Sequence, residues 1–179
     1  NKDGSLVKTI ADDPLVEDMP KGFMSTVSHK RSFQWRADKP SSLVYAKALD
    51  GGDANKAVEF RDEIFELNQP FEGDGKSMVK TINRYSGISW STDEVAFLYD
   101  YWWNTRNEKT YTFNPSKKYD SPEIIFDRNY QDKYNDPGNL VMIKNEYGRK
   151  IVHQEEGVVS LISDGFTKEG QFSTLYTMN

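Results

Sequence analysis

The residues with most chemical potential in this sequence are Tyr101-Trp102-Trp103-Asn104-Thr105-Arg106. An arginine guanidinium is a planar fork of donors that matches a carboxylate through two parallel hydrogen bonds. Adjacent residues of a strand point to opposite faces, so Trp102 and Trp103 divide between an interior and a rim. Arg106 in the following turn can then meet a ligand carboxylate beside an indole, which makes Arg106, Trp102 and Trp103 the candidate substrate-binding residues. The simpler alternative is that Arg106 stacks on a neighbouring ring and closes the turn.

Other motifs resolve into ordinary structure. Gly73-Asp74-Gly75-Lys76-Ser77 has the end of a phosphate loop, but the first glycine of that motif falls on Pro70 and the segment runs into a strand, so a hairpin loop is expected. Asp127-x-Asn129-x-Gln131-Asp132 begins like a calcium loop. Asp132 stands where that loop needs glycine and Gly138 where it needs glutamate, so a polar connection is expected instead. Asp50-Gly51-Gly52-Asp53 could hold a cation, but its composition marks a turn first. His29 and His153 are the two histidines, and a catalytic base needs a nucleophile within hydrogen-bond reach. His153-Gln154-Glu155-Glu156 lacks the second histidine of a zinc motif, and Asn114-Pro115-Ser116 is excluded from N-glycosylation by its proline. The motifs nominate no catalytic residue, no metal ligand and no cofactor.

The chain has 179 residues, a net charge of −5 and no cysteine. An acidic balance argues against general nucleic-acid binding, which needs a basic surface. Without cysteine there is neither disulfide nor thiolate chemistry, while the compartment stays open. No apolar run reaches 18 residues, so no membrane-spanning helix is expected. With 13% aromatic residues the chain has ample material for a core. The first residues read as a strand with no leader before it, which is expected where an upstream segment has been removed.

The elements that position these residues are strands. Helix signals are scarce, and the best candidate, Ala54–Phe60, is short and charged. Around the tryptophans, Ile88–Ser91, Val95–Trp102 and Lys109–Phe113 read as three consecutive strands. The middle one is apolar enough to be covered on both faces. Ser5-Leu6-Val7-Lys8-Thr9-Ile10 recurs as Ser77-Met78-Val79-Lys80-Thr81-Ile82, with five of six residues identical. Each copy precedes a strand ending in tryptophan, Trp35 or Trp90, with Asp38 or Asp93 three residues on and an apolar strand beyond. Pro14–Lys30 reads as a loop inserted in the first copy. A weaker third unit runs through Leu140–Ile143, Lys150–His153, Val158–Ile162 and Phe172–Met178. Repeats of this length, with several strands each, suggest the blades of a β-propeller. The expected fold is therefore all-β, a partial propeller of about three antiparallel meander sheets. The blades fall at 31–82, 84–126 and 139–178, preceded at 1–30 by an outer strand and a long loop. Trp35 and Trp90 are expected to be buried blade anchors, supported by Asp38 and Asp93 in their turns. Exposed sheet edges would favour an edge-to-edge dimer.

Several stretches resemble the N-terminal propeller of the prolyl oligopeptidase family of serine peptidases. The branch they resemble most holds the glutamyl endopeptidases and the dipeptidyl aminopeptidase-like enzymes. The matching residues are Ile10-Ala11-Asp12 with Pro14-Leu15; Pro20-x-Gly22-Phe23; Trp35-Arg36-Ala37-Asp38-Lys39-Pro40; Ala48-Leu49-Asp50-Gly51-Gly52-Asp53; Arg61-Asp62; Gly87-Ile88-Ser89-Trp90; Tyr101-Trp102-Trp103-x-Thr105-Arg106; and Asp136-Pro137-Gly138. Leu161-Ile162-Ser163-x-Gly165, with Gly170 and Phe172, extends the match. The resemblance implies a parent that cleaves peptide bonds with a Ser-Asp-His triad in a C-terminal α/β-hydrolase domain. This sequence has no Gly-x-Ser-x-Gly nucleophile elbow. The implied role is non-catalytic: to cover that domain's active site and to filter or position peptide substrates. The resemblance is compatible with a periplasmic or exported parent. Two rivals remain from other classes. One is a freestanding module that binds peptides or glycans on exposed coplanar aromatics. The other is a TolB-like propeller that acts through protein contacts.

Overall fold

The computed structural model describes residues 3–6, 8–117 and 121–179. They are almost wholly β, with sixteen strands and one 3-10 turn, Val16–Asp18. β1 (Arg31–Trp35), β2 (Ser42–Ala48), β3 (Asp62–Asn68) and β4 (Lys76–Thr81) form an antiparallel meander in chain order. β5 (Arg84–Trp90), β6 (Ala96–Trp102), β7 (Asn107–Phe113) and β8 (Glu123–Asn129) form a second one. Sequential antiparallel pairing follows from short turns between strands. Only Ile82 and Asn83 lie between β4 and β5, which brings the two sheets together.

The rest of the chain is less regular. β9 (Asn139–Leu140) is followed by the hairpin of β10 (Met142–Lys144) and β11 (Lys150–Val152), then β12 (Gln154–Glu155) and β13 (Val158–Ser163). After a small hairpin, β14 (Phe166–Thr167) with β15 (Gly170–Gln171), the chain ends on β16 (Thr174–Met178). β13 pairs with β16 along one edge and divides the other between β12 and β9. The third unit is thus a sheet with the β10–β11 hairpin standing off it, rather than the expected simple meander. The tip of that hairpin is tied to the β1–β2 turn. Arg149 Nη1 donates to the carbonyls of Arg36 (2.7 Å) and Lys39 (2.6 Å), and Asn145 Nδ2 donates to that of Ala37 (2.7 Å).

The apolar run over β6 is explained by burial on both faces. Ala96 and Leu98 join Val44, Ala46, Ile64, Met78, Val79, Trp90, Tyr111 and Phe113 between the first two sheets. Phe97 points the other way, onto Val152 and Val159 of the third unit. A smaller cluster of Leu43, Tyr45 and Leu67, with Ile10, Phe33, Phe65 and Phe71, covers the far face of the first sheet. Among the described residues no helix is long and apolar enough to cross a membrane.

Four expectations are corrected. Ala54–Phe60 is irregular, because the Asp50–Asp53 turn and the ties of Arg61 hold it as a loop. Ser77–Thr81 lies in β4, whereas the described residues of its near-copy Ser5–Ile10 pair with no strand, and Val7 lies outside the described residues. A strand exists only where a partner accepts its ladder, and β3 provides one for the second copy alone. Trp90 is 3% exposed, but Trp35 is 53% exposed. Register explains the difference. Trp90 pairs with Ala96, on the face that the first sheet covers. Trp35 pairs with Leu43, on the face of the first sheet that turns away from the second, where it meets Phe71 edge-on. Lastly, Asp38 and Asp93 are not equivalent. Asp38 receives a double hydrogen bond from the buried Arg36 guanidinium, which stacks on Trp90 at 4.3 Å. Asp93 is exposed, and its main-chain oxygen accepts from Ser116.

Candidate functional site

One end of the first two sheets gathers the candidate residues. It is formed by the β2–β3 loop, the β4–β5 connection and the β6–β7 turn. Its base is a buried ionic network. Arg84, at the start of β5, forks onto Asp50 with Nη2 at 2.7 Å and Nη1 at 3.1 Å, and Nη1 also reaches Asp62 at 3.0 Å. Arg61 adds a contact to Asp50 at 3.0 Å and Arg31 one to Asp62 at 2.6 Å. Three guanidiniums face two carboxylates, and Arg31 Nη1 is buried without a hydrogen-bond partner among the described residues. Burial by itself raises a carboxyl pKa, but the Arg84 fork, with Gly52 N–H and Arg61, outweighs it and holds Asp50 below the usual range. The same balance lifts Arg84: burial opposes its charge, and the two aspartates more than restore it.

A strap from the inserted loop crosses this base. Thr26 N–H donates to Gly52 O at 3.0 Å, and Arg84 Nε donates to Met24 O at 3.1 Å. Gly52 has φ +82, and a Cβ there would lie 2.0 Å from Thr26 O, so only glycine lets the strap seat. Beside the network, Asp100 accepts from Asn83 N–H, Asn83 Nδ2 and the Tyr111 hydroxyl, which fixes the β4–β5 connection. Burial lifts the Asp100 carboxyl above its usual range, although these hydrogen bonds pull it down.

The two tryptophans stand on this base. Trp102, the last residue of β6, faces the Arg61 guanidinium at 3.8 Å. Trp103 is 39% exposed and stacks on two groups: the Phe23 ring at 4.6 Å and 6°, and the Arg106 guanidinium at 3.9 Å. Arg106 does close the turn. Its N–H donates to Trp103 O at 3.2 Å, its Nη1 to the same oxygen at 2.6 Å, and its carbonyl accepts from Tyr130 N–H at 2.8 Å. Arg106 therefore stacks on a ring and closes the turn, as the simpler alternative expects, and its Nη1 also lies 3.4 Å from the Tyr130 hydroxyl.

Arg106 differs from the other arginines in its partners. Arg31, Arg36, Arg61, Arg84 and Arg128 each pair with a carboxylate, and Arg149 is held by three carbonyls. Among the described residues no carboxylate pairs with Arg106. It also holds φ +57, a left-handed conformation that costs a non-glycine residue roughly 1 kcal/mol.

Next to this platform a cleft of about 780 Å³ opens between the second sheet and the third unit. Tyr99, Tyr101, Phe126, Arg128, Leu140 and Leu161 line it, and Arg128 is ion-paired with Glu108 and Asp136 at its edge. Sequence reasoning missed this cleft, Phe23 and Arg61. The alternation of Tyr99 and Tyr101 hinted at the cleft, while Phe23 lies in a loop without periodicity.

The remaining motifs take their places as turns or strand ends. Gly73–Gly75 forms the β3–β4 turn, and Asp127–Asn129 belong to the end of β8. His29 Nε2 meets Asp13 at 2.6 Å on the surface. Among the described residues no cluster of His, Cys, Asp or Glu could hold a metal ion.

Comparison with known proteins finds relatives along the whole chain. The chain is 36% identical over 186 residues to a probable chloroplastic glutamyl endopeptidase of Oryza sativa subsp. japonica, covering 99% of this chain and 20% of that protein. It is 35% identical over 187 residues to a probable chloroplastic glutamyl endopeptidase of Arabidopsis thaliana, covering 99% and 19%. The chain spans about a fifth of the length of these curated relatives. No family model matches it, and no solved structure does.

Proposed function

We propose that this chain is a non-catalytic, propeller-like part of a serine peptidase of the prolyl oligopeptidase type, and that it positions peptide substrates through an acidic side chain held by Arg106. The likeness to glutamyl endopeptidases along the whole chain supports the peptidase setting. Two four-stranded meanders packed face to face support the blade reading. Trp35 is consistent with it. Its ring points where Trp90 points, toward the side of a preceding sheet, and in a blade arrangement a further sheet would cover it.

The observation that carries the substrate role is the Arg106 guanidinium, which pairs with no carboxylate among the described residues and is held on an exposed indole at the end of the sheets. A carboxylate that meets it gains charge-assisted hydrogen bonds, worth about 1.5–3 kcal/mol where water is displaced. The test is calorimetric titration of the chain with Ala-Ala-Glu-Ala-Ala and with its glutamine counterpart. The glutamyl peptide should bind about tenfold tighter at low salt, a difference of ~1.4 kcal/mol. Arg106→Gln should erase that preference. Arg106→Gly should erase it too while leaving the fold intact, because glycine accepts φ +57 without strain. Equal binding of the two peptides, or a preference that survives Arg106→Gln, would sink the proposal.

The peptide-or-glycan module finds one supporting feature, the coplanar Phe23–Trp103 pair. Trp103 also carries the Arg106 guanidinium, so the indole reads more simply as part of the Arg106 peptide site than as a separate module.

A further inference from the structure

The Trp103 platform is already occupied, and its occupant indicates what it binds. Phe23 lies parallel to the indole, yet it is 72% exposed. Among the described residues its own main chain makes no hydrogen bond, while the turn that carries it is closed by Ser25, which donates from N–H to Gly22 O and from Oγ to Lys21 O. The strap is anchored on the C-terminal side of Phe23, at Met24 O and Thr26 N. On either side of the ring the backbone is left-handed, with Gly22 at φ +119 and Met24 at φ +66. A side chain presented on such a bend, with anchors beyond it, can leave the indole without unseating the strap.

We propose that the Trp103 face under Phe23 is a subsite for an aromatic side chain of the peptide, and that Phe23 is its intramolecular stand-in, displaced when peptide binds. This rests on the reading of Arg106 given above and names the residue that accompanies the acidic one. A flat ring is the right occupant, because offset stacking on an indole requires a planar partner. Phe23 and the Arg106 guanidinium touch the same indole, so a ligand that meets both indole and guanidinium need span only two or three residues. An extended peptide rises about 3.3 Å per residue and returns side chains to one face every second residue. The experiment therefore offers an aromatic and a glutamyl side chain within three residues, as aromatic-x-Glu. A site filled by its own chain binds ligand more weakly by the fraction of time it is open, so removal of Phe23 raises apparent affinity without adding any contact.

The experiment titrates the whole chain and its Phe23→Ala and Phe23→Trp variants with three peptides: acetyl-Phe-Ala-Glu-amide, acetyl-Ala-Ala-Glu-amide and acetyl-Phe-Ala-Gln-amide. Phe23→Ala should tighten the Phe-Ala-Glu peptide about threefold to tenfold and leave the Ala-Ala-Glu peptide unchanged. Phe23→Trp, which stacks more firmly, should weaken the first peptide alone. Acrylamide should quench Trp103 more in Phe23→Ala than in wild type, and bound Phe-Ala-Glu peptide should restore the protection. Phe23 is largely exposed, so neither variant threatens the fold. If Phe-Ala-Glu and Ala-Ala-Glu bind equally in every variant, the aromatic subsite is overturned while the acidic site stands. If Phe-Ala-Glu and Phe-Ala-Gln bind equally, the Arg106 reading falls. If no peptide binds, both fall.

Discussion

Replacing Arg84 with methionine tests how the candidate site is held together. Arg84 is buried, donates to both oxygens of Asp50, to Asp62 and to Met24 O, and so links β5, the β2–β3 loop, β3 and the strap. Methionine fills similar volume and supplies none of these donors. The two carboxylates keep Arg61 and Arg31, so they are weakened rather than abandoned. Breaking a buried pair by removing one partner costs about 3–5 kcal/mol, and the remaining arginines place the loss at the lower end, about 3 kcal/mol. For a domain of this size each kcal/mol shifts Tm by roughly 2–4 °C, so a fall of about 6–12 °C is expected. Arg84→Lys keeps the charge without the fork and should lose about half as much. The acid limb adds a second check. A carboxyl held below its unfolded pKa contributes stability that is present above about pH 4 and lost as pH falls through the folded value. Asp50 is such a group, so wild-type stability should fall below pH 4 and the Arg84→Met variant should lose less there. The assay is thermal unfolding by circular dichroism between pH 2.5 and 7. A Tm within about 2 °C of wild type at pH 7, or an acid limb as steep as wild type, would refute the network as the support of the site.

Three further outcomes follow from the geometry. Trp90→Ala removes a ring packed under Arg36 and edge-on to Phe113 and should cost about 3–5 kcal/mol in urea unfolding, whereas Trp35→Ala, at a half-exposed position, should cost under about 1.5 kcal/mol. Arg149→Ala frees the β10–β11 tip from the β1–β2 turn, so amide exchange in the hairpin should quicken by at least about tenfold while exchange in β6 and β7 stays unchanged. Burial pushes the Tyr45 phenol up to about 12, and buried Tyr85 and Tyr111 are raised as well. Phenols held neutral contribute stability that is present below their unfolded pKa near 10 and lost as pH rises through the folded values. Stability should therefore decline above pH 10, and absorbance titration should show these phenolates appearing only with unfolding.

The sequence made the β-meanders legible because their signal is local. The aromatic run of β6 is buried on both faces, and the turn residues at 91–94 and 103–106 interrupt it where the hairpins turn. What it hid depends on what lies opposite. Ser5–Ile10 and Ser77–Ile82 are nearly the same peptide, and Trp35 and Trp90 occupy matching strand ends. Their different fates come from the presence of β3 beside one copy and of the first sheet beneath one tryptophan. The Arg106 turn was legible as residue types at a spacing. Its companions were not: Phe23 lies 83 positions before Arg106, and Arg61 reaches Trp102 from the β2–β3 loop. The Arg84 network was visible only as separate Asp-Gly and Arg-Asp fragments, because long-range ion pairs leave no periodic trace.

The most direct test of the central claim compares the 179-residue chain with the complete gene product, read through to its stop codon. Both are treated with a serine-reactive fluorophosphonate and assayed on glutamyl and glutaminyl chromogenic peptides. The account predicts that only the longer product labels and cleaves. It also predicts that Arg106→Gln in that product lowers kcat/KM for the glutamyl substrate about tenfold while sparing the glutaminyl one. Labelling of the 179-residue chain alone, a complete product without a reactive serine, or a glutamyl preference untouched by Arg106→Gln would contradict it.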